Sequence, residues 1–310
     1  MVWVIVIGAV VGALLLAAWP IYLERRRRPI GPDARHGADG EFALLSQGVT
    51  RFRWAGSARG PVAVLIHGLA SPMVTMEAIA KGLGNNGYRV LMYDLYGRGL
   101  SDAPQGVQNR AFFLRQLSDL LALHKLKDNI TFVGYSMGGA IATAYAAENP
   151  GRVKQVLLVA PTGIVTNERG FSRFCRKTSL LGAWVHGMFA ERRINKAIPL
   201  HGETKAIDMV LRAQRRELKR RGYLPSLLAS RRGILREVQE HEHRQLGRQG
   251  IRVCAIWAGA DKIVPPQAIG KLAEWNRAAQ QEVVARADHA LPYTHGDQLI
   301  AAMRALLHDT

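Results

Sequence analysis

Residues 134–139 read GYSMGG and match the pattern G-x-S-x-G. A short β-branched run, Ile130–Val133, precedes them, and an alanine-rich helical pattern over Ala140–Glu148 follows. This context predicts a sharp strand-to-helix turn that exposes the hydroxyl of Ser136. A helix N-terminus at this point favours a developing negative charge. We therefore expect Ser136 to be a nucleophile. The alternative is a glycine-rich phosphate or turn loop.

A serine nucleophile needs a base, and the base needs an orienting carboxylate. Asp261 directly follows the apolar run Ile251–Trp257, and His289 directly follows the run Glu282–Ala285. The chain order serine, acid, histidine is the one expected when the serine lies on such a turn. Both residues are predicted to reach the sheet edge that carries Ser136. We expect Asp261 to be the acid and His289 the base.

Two other carboxylates compete for the role of the acid. Asp94 also ends a predicted strand, Arg89–Tyr93, and is the main rival to Asp261. Asp288 adjoins His289, but a side chain next along the backbone is poorly aimed at the neighbouring imidazole. We expect Asp288 to be structural.

Acyl transfer also requires backbone N–H groups aimed at the oxygen of a tetrahedral intermediate. Met137 follows the predicted nucleophile at a helix start, so its N–H is one predicted donor. The second donor is expected from the loop after the strand Val62–Ile66, which reads His67-Gly68-Leu69-Ala70. Leu69 is the candidate.

Short apolar runs alternate with longer helical patterns along most of the chain. Brief β-branched runs that are hydrophobic on both faces are typical of parallel strands covered by helices. Alternation with helices predicts an α/β fold with a mostly parallel sheet. An earlier pair, Phe42–Leu45 and Val49–Trp54, is expected to form antiparallel edge strands. The predicted parallel strands are Val62–Ile66, Arg89–Tyr93, Ile130–Val133, Val156–Val159, Ile251–Trp257 and Glu282–Ala285, and the clearest helices are Ala111–His124, Ala140–Glu148, Pro266–Arg277 and Gln298–Leu307.

The alternation stops between residues 162 and 250, which read as a helical insertion over the sheet. This stretch has 19 Lys or Arg and 8 Asp or Glu, so it carries +11 of the net +18. A charge of this size favours an anionic partner, either anionic lipid or nucleic acid, and the alternative for the insertion is a solvated helical surface. No zinc-finger, RNP or helix-turn-helix pattern is evident, so we do not expect nucleic acid to be the partner.

The first 23 residues contain no charged side chain. A run of about 20 apolar residues can cross the roughly 30 Å hydrocarbon core of a bilayer. Glu24 and then the basic cluster Arg25–Arg28 follow, and such clusters are retained in the cytoplasm. A cleavable signal peptide carries its basic residues before the apolar run, which is not the order here. We expect a single membrane-spanning anchor with a cytoplasmic catalytic domain.

Composition limits the remaining classes of site and the number of domains. The two cysteines, Cys175 and Cys254, are far apart in sequence and predict neither a disulfide framework nor a zinc site. No metal or cofactor is expected. The predicted divisions are an anchor at 1–23, a basic linker at 24–40, the first part of the core at 41–161, a cap at 162–250 and the second part of the core at 251–310.

Several spaced motifs resemble those of the α/β-hydrolase superfamily, in particular its capped lipase and esterase group. That group includes monoacylglycerol lipases and the meta-cleavage carbon–carbon hydrolases. The resemblance implies the same roles for Ser136, Asp261 and His289, and implies that the loop after Asp94 shapes the pocket. The carrying motifs are His67-Gly68, DLYGRGLSD at 94–102, GYSMGG at 134–139, GADKIVP at 259–265 and Asp288-His289.

The sequence departs from that group in one loop. After His67-Gly68 it carries Leu69, Pro72 and Met73 in place of the usual small polar and glycine residues. A more apolar pocket is expected. The leading hypothesis is a membrane-anchored serine hydrolase that cleaves acyl esters, lipid or monoacylglycerol-like, through an acyl-enzyme. A carbon–carbon or other small-molecule hydrolase with the same residues is the alternative, followed by a non-catalytic binding protein.

Overall fold

A single eight-stranded sheet forms the centre of the computed structural model, which describes residues 1–168 and 170–308. Its spatial order is β1-β2-β4-β3-β5-β6-β7-β8, and all neighbours from β4 to β8 in that order pair in parallel. β1 and β2 form the antiparallel edge. The strands are β1 Glu41–Leu45, β2 Gly48–Gly56, β3 Val62–Ile66, β4 Arg89–Tyr93, β5 Ile130–Tyr135, β6 Val153–Val159, β7 Arg252–Ala258 and β8 Gln280–Val284.

The helices comprise the N-terminal helices α1 and α2, others that pack on the two faces of the sheet, and an insertion between β6 and β7. They are α1 Val2–Arg25, α2 Pro32–Arg35, α3 Glu77–Asn85, α4 Arg110–Leu123, α5 Met137–Glu148, α6 Gly170–Lys177, α7 Leu180–Ala197, α8 Lys205–Glu217, α9 Tyr223–Arg232, α10 Glu240–Arg248, α11 Gln267–Trp275, α12 Leu291–Thr294 and α13 Gly296–His308.

Two apolar layers cover the sheet. Side chains of α4, α5 and α11 pack on one face, and those of α3 and α13 pack on the other. The central strand β5 is buried along its whole length, as expected for a strand covered on both faces. Helices α6–α10 lie between β6 and β7, and a smaller apolar cluster around Tyr223 and Leu227 holds part of them together.

The observed elements match the predicted order, with differences at particular places. β8 is not buried on both faces: Glu282 and Val283 are exposed because β8 is the edge strand. Helix α3 was not among the predicted helices, because Gly82 and Gly84 interrupt its apolar pattern. The close approach of Gly84 to Gly56 in β2 explains one of these glycines.

The segment predicted as a linker, residues 24–40, is docked on the folded protein. The backbone N–H of Arg28 donates to the carbonyl of Lys219 at 3.0 Å, and the N–H of Arg221 donates to the carbonyl of Arg28 at 2.8 Å. Farther along, Arg35 forms a 2.5 Å ion pair with Asp102. The segment therefore contacts both the insertion and the loop after β4. The predicted domain boundaries stay a prediction.

Candidate active site

Ser136 occupies a strained turn between β5 and α5. It has φ 53° and ψ −116°, which is a backbone conformation that residues with a side chain rarely adopt. Glycines make the turn possible: a Cβ on Gly138 would collide with the carbonyl of Ile66, and one on Gly134 would collide with the carbonyl of Gly138. The turn presents the serine hydroxyl above the carboxyl end of the sheet, as expected from the GYSMGG stretch.

Three predicted side chains form one hydrogen-bonded row. His289 Nε2 lies 2.9 Å from Ser136 Oγ, and His289 Nδ1 lies 2.8 Å from Asp261 Oδ2. A carboxylate accepts only, so Nδ1–H donates to it and Nε2 is left to accept the serine proton. The residues come from three strand ends that are far apart in sequence. This arrangement can remove a proton from a serine hydroxyl and stabilise the resulting imidazolium.

Asp261 is held in place by its own turn. Its Oδ1 accepts hydrogen bonds from the backbone N–H groups of Ile263 at 2.7 Å and Val264 at 3.0 Å. Burial acts to raise the pKa of Asp261, but the hydrogen bond and charge of His289, together with the two N–H donors, hold that pKa below its usual value. Asp261 is therefore an anion facing the imidazole at neutral pH.

Tyr135 contributes a contact that the sequence analysis missed. Its hydroxyl donates to the backbone carbonyl of His289 at 2.7 Å, and its ring lies 5.4 Å from the imidazole, centroid to centroid. Burial raises the pKa of Tyr135 well above its usual value, so the hydroxyl keeps its proton. The only sequence signal was its place beside Ser136, because the partner is 154 residues away.

The two predicted backbone donors lie beside Ser136. Met137 is the first residue of α5, and Leu69 lies in the loop after β3 that lines the same cavity as Ser136. Within residues 1–168 and 170–308, neither of these N–H groups donates a hydrogen bond to a protein acceptor. Buried Arg98 donates through Nε to the carbonyl of Leu69 at 2.9 Å and fixes the loop. The position of Arg98 in the DLYGRGLSD stretch was the only sequence signal.

His67 supports the same loop from below. Its Nδ1–H donates to the carbonyl of Gly68 at 2.8 Å, and its Nε2 accepts the N–H of Leu95 at 2.9 Å. Burial lowers the pKa of His67 to about 4, despite the nearby Asp94 carboxylate. His67 is therefore a neutral brace between two loops.

Neither rival carboxylate contacts the imidazole of His289. Asp94 is fully buried and accepts the N–H groups of Met73 at 2.8 Å and Leu100 at 3.0 Å. Asp288 accepts the N–H of Ala290 at 2.9 Å within its own turn. Both carboxylates stabilise loops.

A cavity of about 1250 Å³ opens above Ser136. Its floor is formed by the loop around Leu69 and the turn around His289, and its roof by the insertion. Such a volume exceeds that of many small-ligand pockets. Apolar lining residues from both parts include Leu69, Val165, Ile194, Leu211, Leu235 and Val264.

Charge also lines this cavity, on the side of the insertion. Glu168 pairs with Arg176 at 2.5 Å and with Arg231 at 2.6 Å. Among the described residues, no cluster of three or more His, Cys, Asp or Glu side chains has the arrangement of a metal site. The chemistry that the cavity offers is that of the Ser136 row.

Residues 57–292 match the family described as Serine aminopeptidase, S33, a family of hydrolases. This chain belongs to that family. The match covers the sheet from β3 to β8 and includes Ser136, Asp261 and His289. The chain is thus a hydrolase with the α/β-hydrolase fold, as the motifs predicted.

Individual proteins similar to this chain cover different shares of it. An uncharacterized protein of Mycobacterium tuberculosis is 34% identical over 113 residues, 36% of this chain and 32% of the relative, so the match spans about a third of that protein's length. The pimeloyl-[acyl-carrier protein] methyl ester esterase of Aliivibrio salmonicida is 26% identical over 83% of this chain and 96% of its own. The enol-lactonase of Burkholderia xenovorans LB400 superposes with a TM-score of 0.72 at 18% identity, covering 87% of this chain and all of its own, which shows the common fold.

Proposed function

We propose that the protein is a membrane-anchored serine hydrolase that cleaves carboxylic esters through an acyl-enzyme. The hydrogen-bonded row of Ser136, His289 and Asp261 carries this proposal. The Aliivibrio relative, which its name describes as a methyl ester esterase, supports an ester as the substrate class.

The proposed reaction has two steps. His289 Nε2 takes the proton of Ser136 as Oγ attacks the ester carbonyl, and the imidazolium then gives that proton to the leaving alkoxide. In the second step water hydrolyses the acyl-enzyme. His289 takes a proton from the water, the resulting hydroxide attacks the acyl carbonyl, and the proton returns to Ser136 Oγ as the carboxylic acid leaves. The N–H groups of Met137 and Leu69 stabilise the tetrahedral oxyanion in both steps.

The N-terminal helix supports the membrane part of the proposal. Helix α1 has 24 residues, and none of them is buried by the rest of the protein. At about 1.5 Å per residue it matches the roughly 30 Å of a hydrocarbon core. The basic cluster Arg25–Arg28 favours a cytoplasmic catalytic domain. A retained helix, rather than a cleaved signal sequence, is supported by its contacts with α7.

A substrate with an acyl chain fits this location and this cavity. An enzyme held at a bilayer meets lipid esters at high local concentration. The large, partly apolar cavity over Ser136 suits an acyl chain of lipid length. The substrate class proposed is therefore lipid or monoacylglycerol-like esters.

An active-site-directed fluorophosphonate tests the chemistry. The wild-type chain should be labelled and hydrolyse glycerol esters, whereas Ser136→Ala should do neither. Equal labelling of both proteins would overturn the assignment of Ser136. Parallel assays of monoacylglycerols and a dienone acid separate ester from carbon–carbon cleavage, and preferred cleavage of the dienone would replace the ester proposal.

Location is tested independently of chemistry. After expression in a bacterial host, the protein should remain in the membrane fraction after a carbonate wash. Mass spectrometry should find residues 1–25 still attached. A soluble protein that begins after Arg25 would identify α1 as a cleaved segment and remove the anchor from the proposal.

A further inference from the structure

Helix α7 of the insertion runs beside α1 in the same direction. Successive contacts join Leu16 to Trp184, Pro20 to Gly187, and Arg27 to Glu191. Residue numbers increase in the same direction along both helices from one contact to the next, so the two helices are parallel. At about 1.5 Å per residue, Trp184 lies level with a point about 14 Å before the end of α1.

The first two of these contacts depend on Pro20. Proline lacks an N–H, so within α1 it leaves the carbonyl of Leu16 without its usual helical donor. The indole N–H of Trp184 donates to that oxygen at 3.0 Å. At the next turn Gly187 lets the helices approach, since a Cβ there would lie only 2.7 Å from Cβ of Pro20. The pairing of the two helices therefore depends on Trp184 and Gly187 in α7 and on Pro20 in α1.

Both helices change from uncharged to charged at the same level. α1 has no charged residue before Glu24, and the stretch from Thr178 to Ala190 has none either. The first charges in the two helices belong to one network, in which Arg27 contacts Glu24 at 3.0 Å and Glu191 at 2.7 Å. Two helices that enter the same apolar layer need their charged residues to begin at the same level, because charged side chains are costly inside a bilayer.

The uncharged end of α7 exposes large apolar side chains. Leu180 is 86% exposed and Leu181 is 57% exposed, and Phe174 in α6 and Phe189 farther along α7 are also exposed. Such a cluster on a protein surface marks a contact with a partner or a membrane. Cations flank it: Arg173, Lys177 and Arg192 are exposed near these residues.

We propose that the hairpin tip of the insertion, residues 174–181, inserts into the same bilayer leaflet that α1 enters, beside anionic phospholipid. This inference rests on the proposed membrane anchor. The apolar side chains would lie below the headgroups, as in membrane-surface helices. The exposed Arg173 and Arg192 add electrostatic attraction to an anionic leaflet.

The same helix continues from the membrane to the cavity. Ile194 and Ala197, in the last two turns of α7, line the space above Ser136. Leu180 and Ile194 are separated by 14 residues of helix, or about 21 Å. An acyl ester that leaves the leaflet along α7 thus has a short path to the cavity.

Depth-dependent quenching tests the insertion. The full chain carries an environment-sensitive NBD label on Leu181→Cys and is reconstituted in phosphatidylcholine vesicles with phosphatidylglycerol and nitroxide lipids. Leu15→Cys in α1 is the buried-in-lipid reference, and Leu44→Cys, exposed on β1, is the reference in water. Because Cys175 and Cys254 are buried, the unmodified chain supplies the labelling blank.

We expect the NBD emission at position 181 to shift to the blue and to be mostly quenched by nitroxide lipids. The label at position 15 should behave in the same way, and the label at position 44 should not. Omitting phosphatidylglycerol should reduce quenching at 181 and leave 15 unchanged. Quenching at 15 with a water-like signal at 181 would overturn this inference and leave the anchor standing. A chain that fails to float with vesicles would remove both.

Discussion

The hydroxyl of Tyr135 donates to the backbone carbonyl of His289, so the residue before the proposed nucleophile positions the proposed base. Tyr135→Phe removes this bond and keeps the ring. A neutral hydrogen bond contributes about 1 kcal/mol net, which predicts a fall in kcat of roughly fivefold. Steady-state kinetics on a soluble ester measure it. A loss confined to KM would assign Tyr135 to substrate binding instead of positioning.

Asp261→Asn should disable proton transfer. An asparagine cannot hold the imidazole in the required tautomer, and losses on the order of 10⁴ in kcat follow in comparable sites. Asp288→Asn is the matched control, because among the described residues the Asp288 carboxylate hydrogen-bonds within its own turn and not to the imidazole of His289, and it should retain activity close to the wild type. The reverse ranking of the two variants would exchange their roles.

The stability of the protein in acid should also depend on Asp261. Its pKa is lower in the folded protein than in the unfolded chain, so its stabilising contribution is present above the unfolded value and is lost as pH falls through the folded one. Thermal unfolding is measured from about pH 3 to about pH 6, a range around the ordinary aspartate pKa. The melting temperature should fall less steeply with decreasing pH for Asp261→Asn than for the wild type.

Glu217 should have the opposite effect. Burial raises its pKa to about 7, although Arg220 opposes the shift and Asp94 adds to it. The folded protein therefore holds a proton that the unfolded chain has already lost, and stability falls as pH rises from about 4.5 to about 7. Glu217→Gln should flatten that decline in melting temperature. Exposed Glu203→Gln should leave the slope as in the wild type.

Gly138→Ala should destabilise the turn at Ser136. The added Cβ meets backbone atoms of Ile66 and His67, which cannot move away as a side-chain end can. Overpacking of this kind costs about 1–3 kcal/mol. Gly270→Ala in α11 is the control: it has open space around it, and removing a helical glycine should stabilise by up to about 1 kcal/mol. Denaturant unfolding compares them.

Arg27 and Arg26 are neighbours in the basic cluster with different surroundings. Arg27 is buried against Glu191 and the carbonyl of Leu218, whereas Arg26 is exposed. Charge-assisted hydrogen bonds contribute about 1.5–3 kcal/mol, so Arg27→Met should speed amide exchange at Arg28 and Arg221 about tenfold or more. Arg26→Met should not. Hydrogen exchange read by mass spectrometry decides between them.

Local patterns predicted the part of the site that lies at strand ends. GYSMGG specified the turn because glycine, strand and helix signals coincide there. Asp261 and His289 followed from the rule that parallel strands end at one edge. The contact between Tyr135 and His289 and that between Arg98 and Leu69 were outside this reasoning, because they join distant segments through side chains whose directions depend on the complete fold.

The N-terminal region shows the same limit. Hydropathy and the arginines predict α1 and its flanking charge, and they predict residues 24–40 only as a basic linker. Docking of Arg28 on the insertion involves backbone pairing with Lys219 and Arg221, which no sequence periodicity encodes.

The bond from Trp184 to Leu16 has a practical consequence for preparing the enzyme. Deleting residues 1–28 to gain solubility would strip α7 of a packing partner and leave Glu191 without Arg27. Activity lost by such a shortened protein would then reflect a loosened roof over Ser136 as well as the loss of the proposed membrane anchor. Detergent extraction of the intact chain keeps the two effects apart.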